Sequence, residues 1–187
     1  MKLSYLATLG LAVALAVGLS WADDKSKPIK SGPQPGEELA GPFHPLNING
    51  KAAGKKFCLY CSNGDKPVAM VFARTPSKEV TTLIKKLDEA CEKNSAAKMG
   101  SYVVFCSSEE GLEEKLKKLA KDADLKKVVL AIDNPAGPDG YKVAKEADVT
   151  VVLYVERTAK ANFAFGPGQM TEKDIETILE ATSKILK

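Results

Sequence analysis

Four apolar runs, with polar and helix-forming stretches between them, dominate the pattern of this chain. Val68–Ala73, 102–106 and 128–132 are almost free of polar residues, which is typical of strands covered on both faces of a sheet. Val149–Val155 is a fourth run, and a turn joins it to an extended segment at 162–165. We therefore expect one sheet that contains all four runs and ends in a hairpin.

Helical spacing follows three of these segments. After the first run, one face carries a row of apolar side chains: Val80, Leu83, Ile84, Leu87, Ala90 and Cys91. Thr75 is predicted to cap this helix. Ser107 and Glu110 predict a capping box for a second helix, and Thr171 and Asp174 predict one for the last helix. Strands that alternate with such helices indicate an α/β sandwich, with a central mixed sheet and helices on both faces.

Two shorter segments are weaker in pattern. Residues 56–61 are predicted to be extended, with a turn at 62–65. Residues 141–146 are predicted to form a short helix before the fourth strand. Asp133 ends the third strand before an Asn-Pro pair, and we interpret it as a turn former.

The N-terminus has the pattern of a secretory signal at residues 1–22. Lys2 gives a basic start, residues 6–19 are apolar, and small residues precede the expected cleavage after Ala22. The alternative is an uncleaved N-terminal anchor, although the apolar run is short for a membrane span. We expect an exported protein, either periplasmic or extracellular.

Composition divides the rest of the chain into two parts. Residues 23–41 are rich in Lys, Pro and Gly and predict a flexible linker, and residues 42–187 predict one globular domain. Removing residues 1–22 leaves 26 Lys+Arg against 24 Asp+Glu, a net charge of +2. This balance argues against nucleic acid or a membrane surface as a partner after signal cleavage.

Cys58 and Cys61 form a C-x-x-C motif, the spacing that thiol–disulfide enzymes use. In a fully extended segment their Cα atoms would lie about 10 Å apart, whereas a disulfide needs less than about 7 Å. The pair can therefore bond only if residues 59–60 turn. Because the motif precedes the strand, we expect no helix N-terminus behind it. The pair can be redox-active, structural or unpaired.

Other roles for the cysteines are disfavoured. A closed zinc site needs four ligands, but the chain has no second C-x-x-C, and its one histidine, His44, is interpreted as a surface residue. Haem attachment needs a histidine where Ser62 stands. We expect no metal and no cofactor. Cys91 and Cys106 lie on predicted core faces, so both are expected to be buried.

The order of elements over residues 55–187 resembles the thioredoxin-like superfamily, in particular its exported redoxin and peroxiredoxin-like branch. The match is nearest from residues 141–144 through 149–153, and in the approach from 162–168 to the helix capped by Thr171. The resemblance implies a thioredoxin-like α/β sandwich.

Two departures bear on activity. The family's active-site cysteine should fall at residues 74–78, which contain none, and its cis-proline should fall at Val149 or Thr150. We therefore expect an exported thioredoxin-like protein that takes part in thiol–disulfide chemistry through the displaced Cys58 and Cys61. If it is an enzyme, it is a thiol–disulfide oxidoreductase acting on an unidentified protein or thiol substrate. The alternative is a non-catalytic binding or scaffold module with structural cysteines.

Overall fold

The computed structural model describes residues 28–186. The predicted signal segment, residues 1–22, and the start of the predicted linker lie outside the described residues. Four of the strands seen in this part of the chain are the four predicted apolar runs.

A six-stranded mixed sheet with the order β1-β4-β3-β2-β5-β6 forms the centre of the fold. The strands are β1 Leu46–Asn47, β2 Val68–Ala73, β3 Gly100–Cys106, β4 Val128–Asp133, β5 Val149–Val155 and β6 Thr158–Phe165. Central β2 pairs in parallel with β3 and antiparallel with β5. The prediction of one sheet with a buried first strand is confirmed, since every residue of β2 is buried.

Four helices accompany the sheet: α1 Leu59–Asn63, α2 Lys78–Lys93, α3 Leu112–Asp122 and α4 Glu172–Ala181. The parallel crossovers through α2 and α3 advance in the same direction along the sheet. Right-handed connections therefore place both helices on one face, where α4 joins them in a single apolar core. The short α1 lies on the opposite face, so the predicted helices on both faces are present.

Alternation along the strands builds a separate core on each face. In β2, Val71 points into the helical layer, whereas Met70 and Phe72 point to the opposite face. That second core is closed by α1 and by non-helical segments that bring in Phe43 and Tyr141, whose ring centroids lie 4.9 Å apart. Aromatic side chains from non-helical segments thus complete the cover that α1 provides on this face.

Part of the predicted flexible linker is packed onto the sheet. Ser31 and Leu39 are buried, the N–H of Gly36 donates to the carbonyl of Ala159 at 2.8 Å, and the N–H of Leu39 donates to the carbonyl of Arg157 at 2.9 Å. Composition failed to indicate this because backbone hydrogen bonds, the Ser31 hydroxyl and a single large apolar side chain, Leu39, attach the segment.

The same segment explains why residues 141–146 are not a helix. Lys142 has a φ of 54°, which a right-handed helix does not allow, and its carbonyl accepts from the N–H of Gly32 at 3.0 Å. The N–H of Ala144 donates to Ser31 Oγ at 2.9 Å. The predicted helix is wrong because these backbone groups bind the N-terminal segment instead of one another.

Two of the three predicted helix caps are wrong. The N-cap of α2 is Ser77, not Thr75, and its Oγ accepts from the N–H of Val80 at 3.2 Å. The capping box of Thr171 and Asp174 at α4 is confirmed.

The predicted Ser107–Glu110 box is absent, since α3 begins after Gly111, which has a φ of 76° and offers no side chain. Ser107 Oγ instead accepts from the N–H of Glu109 in the preceding turn.

Candidate active site

Cys58 and Cys61 form a disulfide, with their Cα atoms 5.3 Å apart. The predicted extended segment at 56–61 is wrong, because α1 begins directly after Cys58. Leu59 and Tyr60 are adjacent yet both buried. A strand would point them to opposite sides, whereas the first turn of a helix can lay both on the sheet face. That helical turn supplies the approach that a disulfide requires.

Cys58 is the N-cap residue of α1, so the prediction that the pair has no helix start behind it is also wrong. The backbone N–H of Cys61 donates to Cys58 Sγ at 3.0 Å. The chain thus aims a backbone donor at one of the two sulfurs. A sulfur that becomes a thiolate at this position would already have a hydrogen-bond donor in place.

The two cysteines differ in exposure. Cys58 is only 5% exposed and packs in the aromatic core, whereas Cys61 is exposed. Helix α1 is held on the sheet face by Tyr60, over whose ring the Arg157 guanidinium lies at 5.2 Å. Arg157 Nε also lies 3.1 Å from Asp65 Oδ1. A fixed helix therefore presents one cysteine to solvent and keeps the other in the core.

A groove of about 400 Å³ is lined by the chain neighbours of the two cysteines. Phe57 directly precedes Cys58, Ser62 directly follows Cys61, and both line the groove. Asn47 of β1 and Lys127 before β4 also line it. Sequence analysis missed these two residues because backbone pairing, rather than a residue motif, brings them there: β1 pairs with β4, and Asn47 pairs with Gly54 and Lys55. The one local sequence signal for this groove was Phe57, an aromatic residue directly before a cysteine.

Arg74 directly follows β2 and is the first of residues 74–78, where the family resemblance places the active-site cysteine. Its Nε donates to the carbonyl of Ala147 at 3.3 Å and its Nη2 to that of Ala144 at 3.0 Å. Its Nη1 donates to the carbonyl of Cys106 at 3.4 Å and to that of Pro135. The guanidinium thus links three segments by hydrogen bonds at this end of the sheet, which gives Arg74 a structural role.

The expected cis-proline position is also occupied differently. No cis peptide occurs within residues 28–186, and Thr150 is buried with its hydroxyl 2.6 Å from Ser31 Oγ. Beside it, burial raises the pKa of the Asp148 carboxyl, against the opposing effect of the nearby Arg74 cation. This end of the sheet therefore carries neither of the family's two marker residues.

Cys91 and Cys106 are free thiols and both are buried, as predicted. Burial raises the pKa of each to about 12; Asp88 adds to the effect at Cys91, whereas Arg74 opposes it at Cys106. Because the thiolate is the nucleophile, these two residues are poor candidates for chemistry. Asp133 acts in a turn, as predicted, since its Oδ1 accepts from the N–H of Asn134 at 2.8 Å.

Neither a metal-ligand cluster nor a helix that could span a membrane occurs among residues 28–186. Residues 28–186 contain no group of three or more His, Cys, Asp or Glu side chains placed to hold a metal ion. His44 is exposed, as predicted. No helix within the described range is long and apolar enough to cross a membrane.

The central mixed sheet, its helices and the closing hairpin define a thioredoxin-like fold. The chain is similar in structure to a protein provisionally named as a protein disulfide isomerase from Bacteroides thetaiotaomicron, with a TM-score of 0.62, 16% identity, and 84% of this chain and 94% of that chain covered. It is also similar to a thiol peroxidase from Chromobacterium violaceum, with a TM-score of 0.59, 12% identity, and coverage of 83% and 90%.

A third similar structure is a secreted disulfide oxidoreductase of Mycobacterium tuberculosis, homologous to Escherichia coli DsbE. Its TM-score is 0.51 and its identity 12%, with 74% of this chain and 95% of that chain covered. No protein-family model matches the chain, and no curated protein matches its sequence. At these identities the similarity establishes the fold, and chemistry must be argued from the site.

Proposed function

We propose that this protein is an exported thioredoxin-like protein that exchanges disulfides through Cys58 and Cys61. The observation that carries the proposal is the asymmetry of the pair. Cys61 is exposed, while Cys58 is buried under a backbone N–H donor at the start of α1. Exchange needs one accessible sulfur and a stabilised leaving thiolate. The exposure of Cys61 supplies the first, and the N–H donor at Cys58 supplies the second against the opposing effect of burial.

In the oxidised protein, an incoming substrate thiolate attacks Cys61 Sγ. A substrate–Cys61 disulfide forms, the Cys58–Cys61 bond breaks, and its electron pair leaves on Cys58 Sγ. The Cys61 N–H, 3.0 Å from that sulfur in the disulfide, stabilises the departing thiolate. A second substrate thiolate then attacks the substrate sulfur and releases Cys61 as a thiolate. The substrate dithiol has been oxidised to a disulfide and the Cys58–Cys61 pair reduced.

Reduction of a substrate runs through the same intermediate in reverse. The Cys61 thiolate attacks a substrate disulfide, which releases one substrate thiolate. The Cys58 thiolate then attacks Cys61 Sγ and releases the second. Cys61 is thus the nucleophile and Cys58 the resolving cysteine. Lys55, Lys56 and Lys66 are exposed and add only solvent-screened positive charge.

The experiment is exchange of the reduced protein with oxidised glutathione, analysed by peptide mass spectrometry. Cys58→Ser should trap glutathione on Cys61, whereas Cys61→Ser should react slowly because Cys58 is buried. The Cys58→Ser/Cys61→Ser protein, which keeps Cys91 and Cys106, is the matched control and should not exchange. Equal exchange in that control and the unaltered protein would remove the oxidoreductase proposal. Equal trapping on the two cysteines would remove the assignment of roles.

A specific observation also supports the alternative, a binding or scaffold module with a structural disulfide. Arg74 is the first of residues 74–78, where the family's cysteine is expected, and its guanidinium donates to backbone carbonyls. The fold can therefore persist without the usual redox end of the sheet. In that case the disulfide would only fix α1 on the sheet, and the protein would show no exchange.

Export belongs to the same proposal. The apolar run at residues 6–19 and the small residues before Asp23 support signal cleavage, and an oxidising compartment would maintain the disulfide. Mass spectrometry of the protein from a secreting host should find an N-terminus near Asp23. A mature chain that retains residues 1–22 would indicate an N-terminal anchor instead.

A further inference from the structure

The groove beside the disulfide contains the one exposed large hydrophobic side chain among residues 28–186, Phe57, which is 45% exposed. Leu59, Ala52 and Val129 add further apolar lining. The groove is therefore an apolar depression next to the accessible cysteine, and an apolar side chain of a partner would find contact surface there.

Asn47 gives the groove an unused hydrogen-bonding group. The residue is 1% exposed, and neither Nδ2 nor Oδ1 of its side chain has a hydrogen-bond partner among the described residues. Its neighbour Asn49 is fully engaged, since Nδ2 donates to the carbonyl of Val128 at 2.9 Å and Oδ1 accepts from the N–H of Leu130 at 2.7 Å. Buried polar groups are normally hydrogen-bonded, because leaving one unpaired costs stability. The unpaired amide of Asn47 therefore indicates a ligand that supplies the missing hydrogen bonds.

The chemistry of a carboxamide narrows the class of that ligand. Asn47 can donate through Nδ2 and accept through Oδ1 at the same time. A peptide group offers the matching pair, a carbonyl oxygen and an N–H. An extended polypeptide segment that passes over Asn47 would therefore satisfy both atoms at once.

The positive charge of the groove favours some polypeptide segments over others. Three lysines line the groove, Lys51, Lys126 and Lys127, and no carboxylate does. Lys126 Nζ lies 3.5 Å from Asp124 Oδ2, whereas Lys51 and Lys127 form no ion pair with any described residue. Unpaired cations around an apolar groove favour acidic residues on either side of the inserted side chain.

We propose that this groove binds an extended segment of the partner protein, with one large apolar side chain flanked by acidic residues and a peptide group bound by Asn47. The proposal rests on the proposed function and names its substrate class. The segment would bring a partner cysteine or disulfide next to Cys61, because Ser62, the chain neighbour of Cys61, lines the same groove.

The test measures binding of fluorescein-labelled, cysteine-free octapeptides by fluorescence anisotropy. The first probe has a central Phe flanked by Glu, the second replaces each Glu by Lys, and the third replaces the Phe by Ser. The Phe/Glu peptide should bind about tenfold more tightly than either of the others. Equal affinity for the three peptides would overturn the proposal.

Asn47→Leu separates a binding role from a structural one. Because this change removes an unpaired buried amide, the free protein should keep or raise its melting temperature. Its affinity for the Phe/Glu peptide should fall about five- to tenfold with the loss of the hydrogen bonds. Unchanged peptide affinity in Asn47→Leu, or a lowered melting temperature, would contradict a ligand-binding Asn47.

Lys127→Glu tests the charge argument against a matched control. Lys173 is also exposed but lies on α4, so Lys173→Glu changes the net charge equally. The affinity for the Phe/Glu peptide should fall in Lys127→Glu only, and equal losses in both variants would contradict the assigned groove. Glutathione exchange needs no groove, so its absence marks failure of the proposed function. Intact exchange without peptide binding marks failure of this inference alone.

Discussion

The Oγ of Ser31 and the Oγ1 of Thr150 lie 2.6 Å apart, and this buried hydrogen bond joins residues 119 positions apart. It ties the N-terminal segment to β5. Gly32 has a φ of 73°, a backbone conformation that favours glycine. A Cβ at this position would also lie only 2.9 Å from Thr150 Cγ2. The hydroxyl pair thus occupies the position where the family resemblance predicts a cis-proline.

Ser31→Ala should lower the free energy of unfolding by about 1–3 kcal/mol, because it leaves a buried hydroxyl of Thr150 without this partner. Thr150→Val should have a cost of similar size. The double variant should lose less than the sum of the two, and urea unfolding of all four proteins measures the coupling. Strict additivity would show that the two hydroxyls do not interact.

Leu83→Ala should lower the free energy of unfolding by about 2–5 kcal/mol, because Leu83 is fully buried between α2 and the sheet. Lys85, two residues away on the same helix, is exposed, so Lys85→Ala should stay within about 0.5 kcal/mol. Chemical denaturation of the pair checks this, and comparable losses in both would mean that α2 packs on a different face.

Asp88 positions the start of β4. Its Oδ1 accepts from the N–H groups of Lys127 at 2.8 Å and Val128 at 2.7 Å, although the residue lies on α2. Asp88→Ala should therefore lower the free energy of unfolding by at least about 1–3 kcal/mol. The exposed neighbour Glu89 provides the control, Glu89→Ala, with a change within about 0.5 kcal/mol. Denaturation midpoints that do not separate the two variants would contradict this role.

The two core thiols predict a specific pH dependence. The pKa of Cys91 and of Cys106 is raised to about 12 by burial, whereas an unfolded thiol ionises near about 8.5. The unfolded chain thus loses these protons first, so stability should fall as pH rises from about 9 towards 12 and be unaffected by them below that window.

Alkylation at fixed pH measures the burial and protonation of the same two thiols. Iodoacetamide at pH 8 should label Cys91 and Cys106 only after denaturant is added, because both thiols are buried and protonated in the native state. Rapid labelling of either one without denaturant would contradict the burial.

The sequence predicted the parts of this fold that depend on long, regular patterns. The strand Val68–Ala73 was predicted because burial on both faces requires an unbroken apolar run. The helix through Leu83 was predicted because its apolar residues recur at helical spacing over several turns. Helix α1 was missed because Leu59 and Tyr60, between two cysteines, are too few to establish a period. Asn47 was missed because its place in the groove depends on two backbone pairings that a single short segment does not reveal: β1 with β4, and Asn47 with Gly54 and Lys55.

The redox potential of the Cys58–Cys61 pair tests the central claim most directly. The protein is equilibrated in glutathione buffers of known potential, its thiols are trapped by alkylation, and the pair is quantified by peptide mass spectrometry, with Cys91 and Cys106 as thiols that stay reduced. An exchanging pair should titrate between about −120 and −230 mV. A pair that stays oxidised below about −300 mV would be a structural disulfide, and the claim of exchange through Cys61 would be wrong.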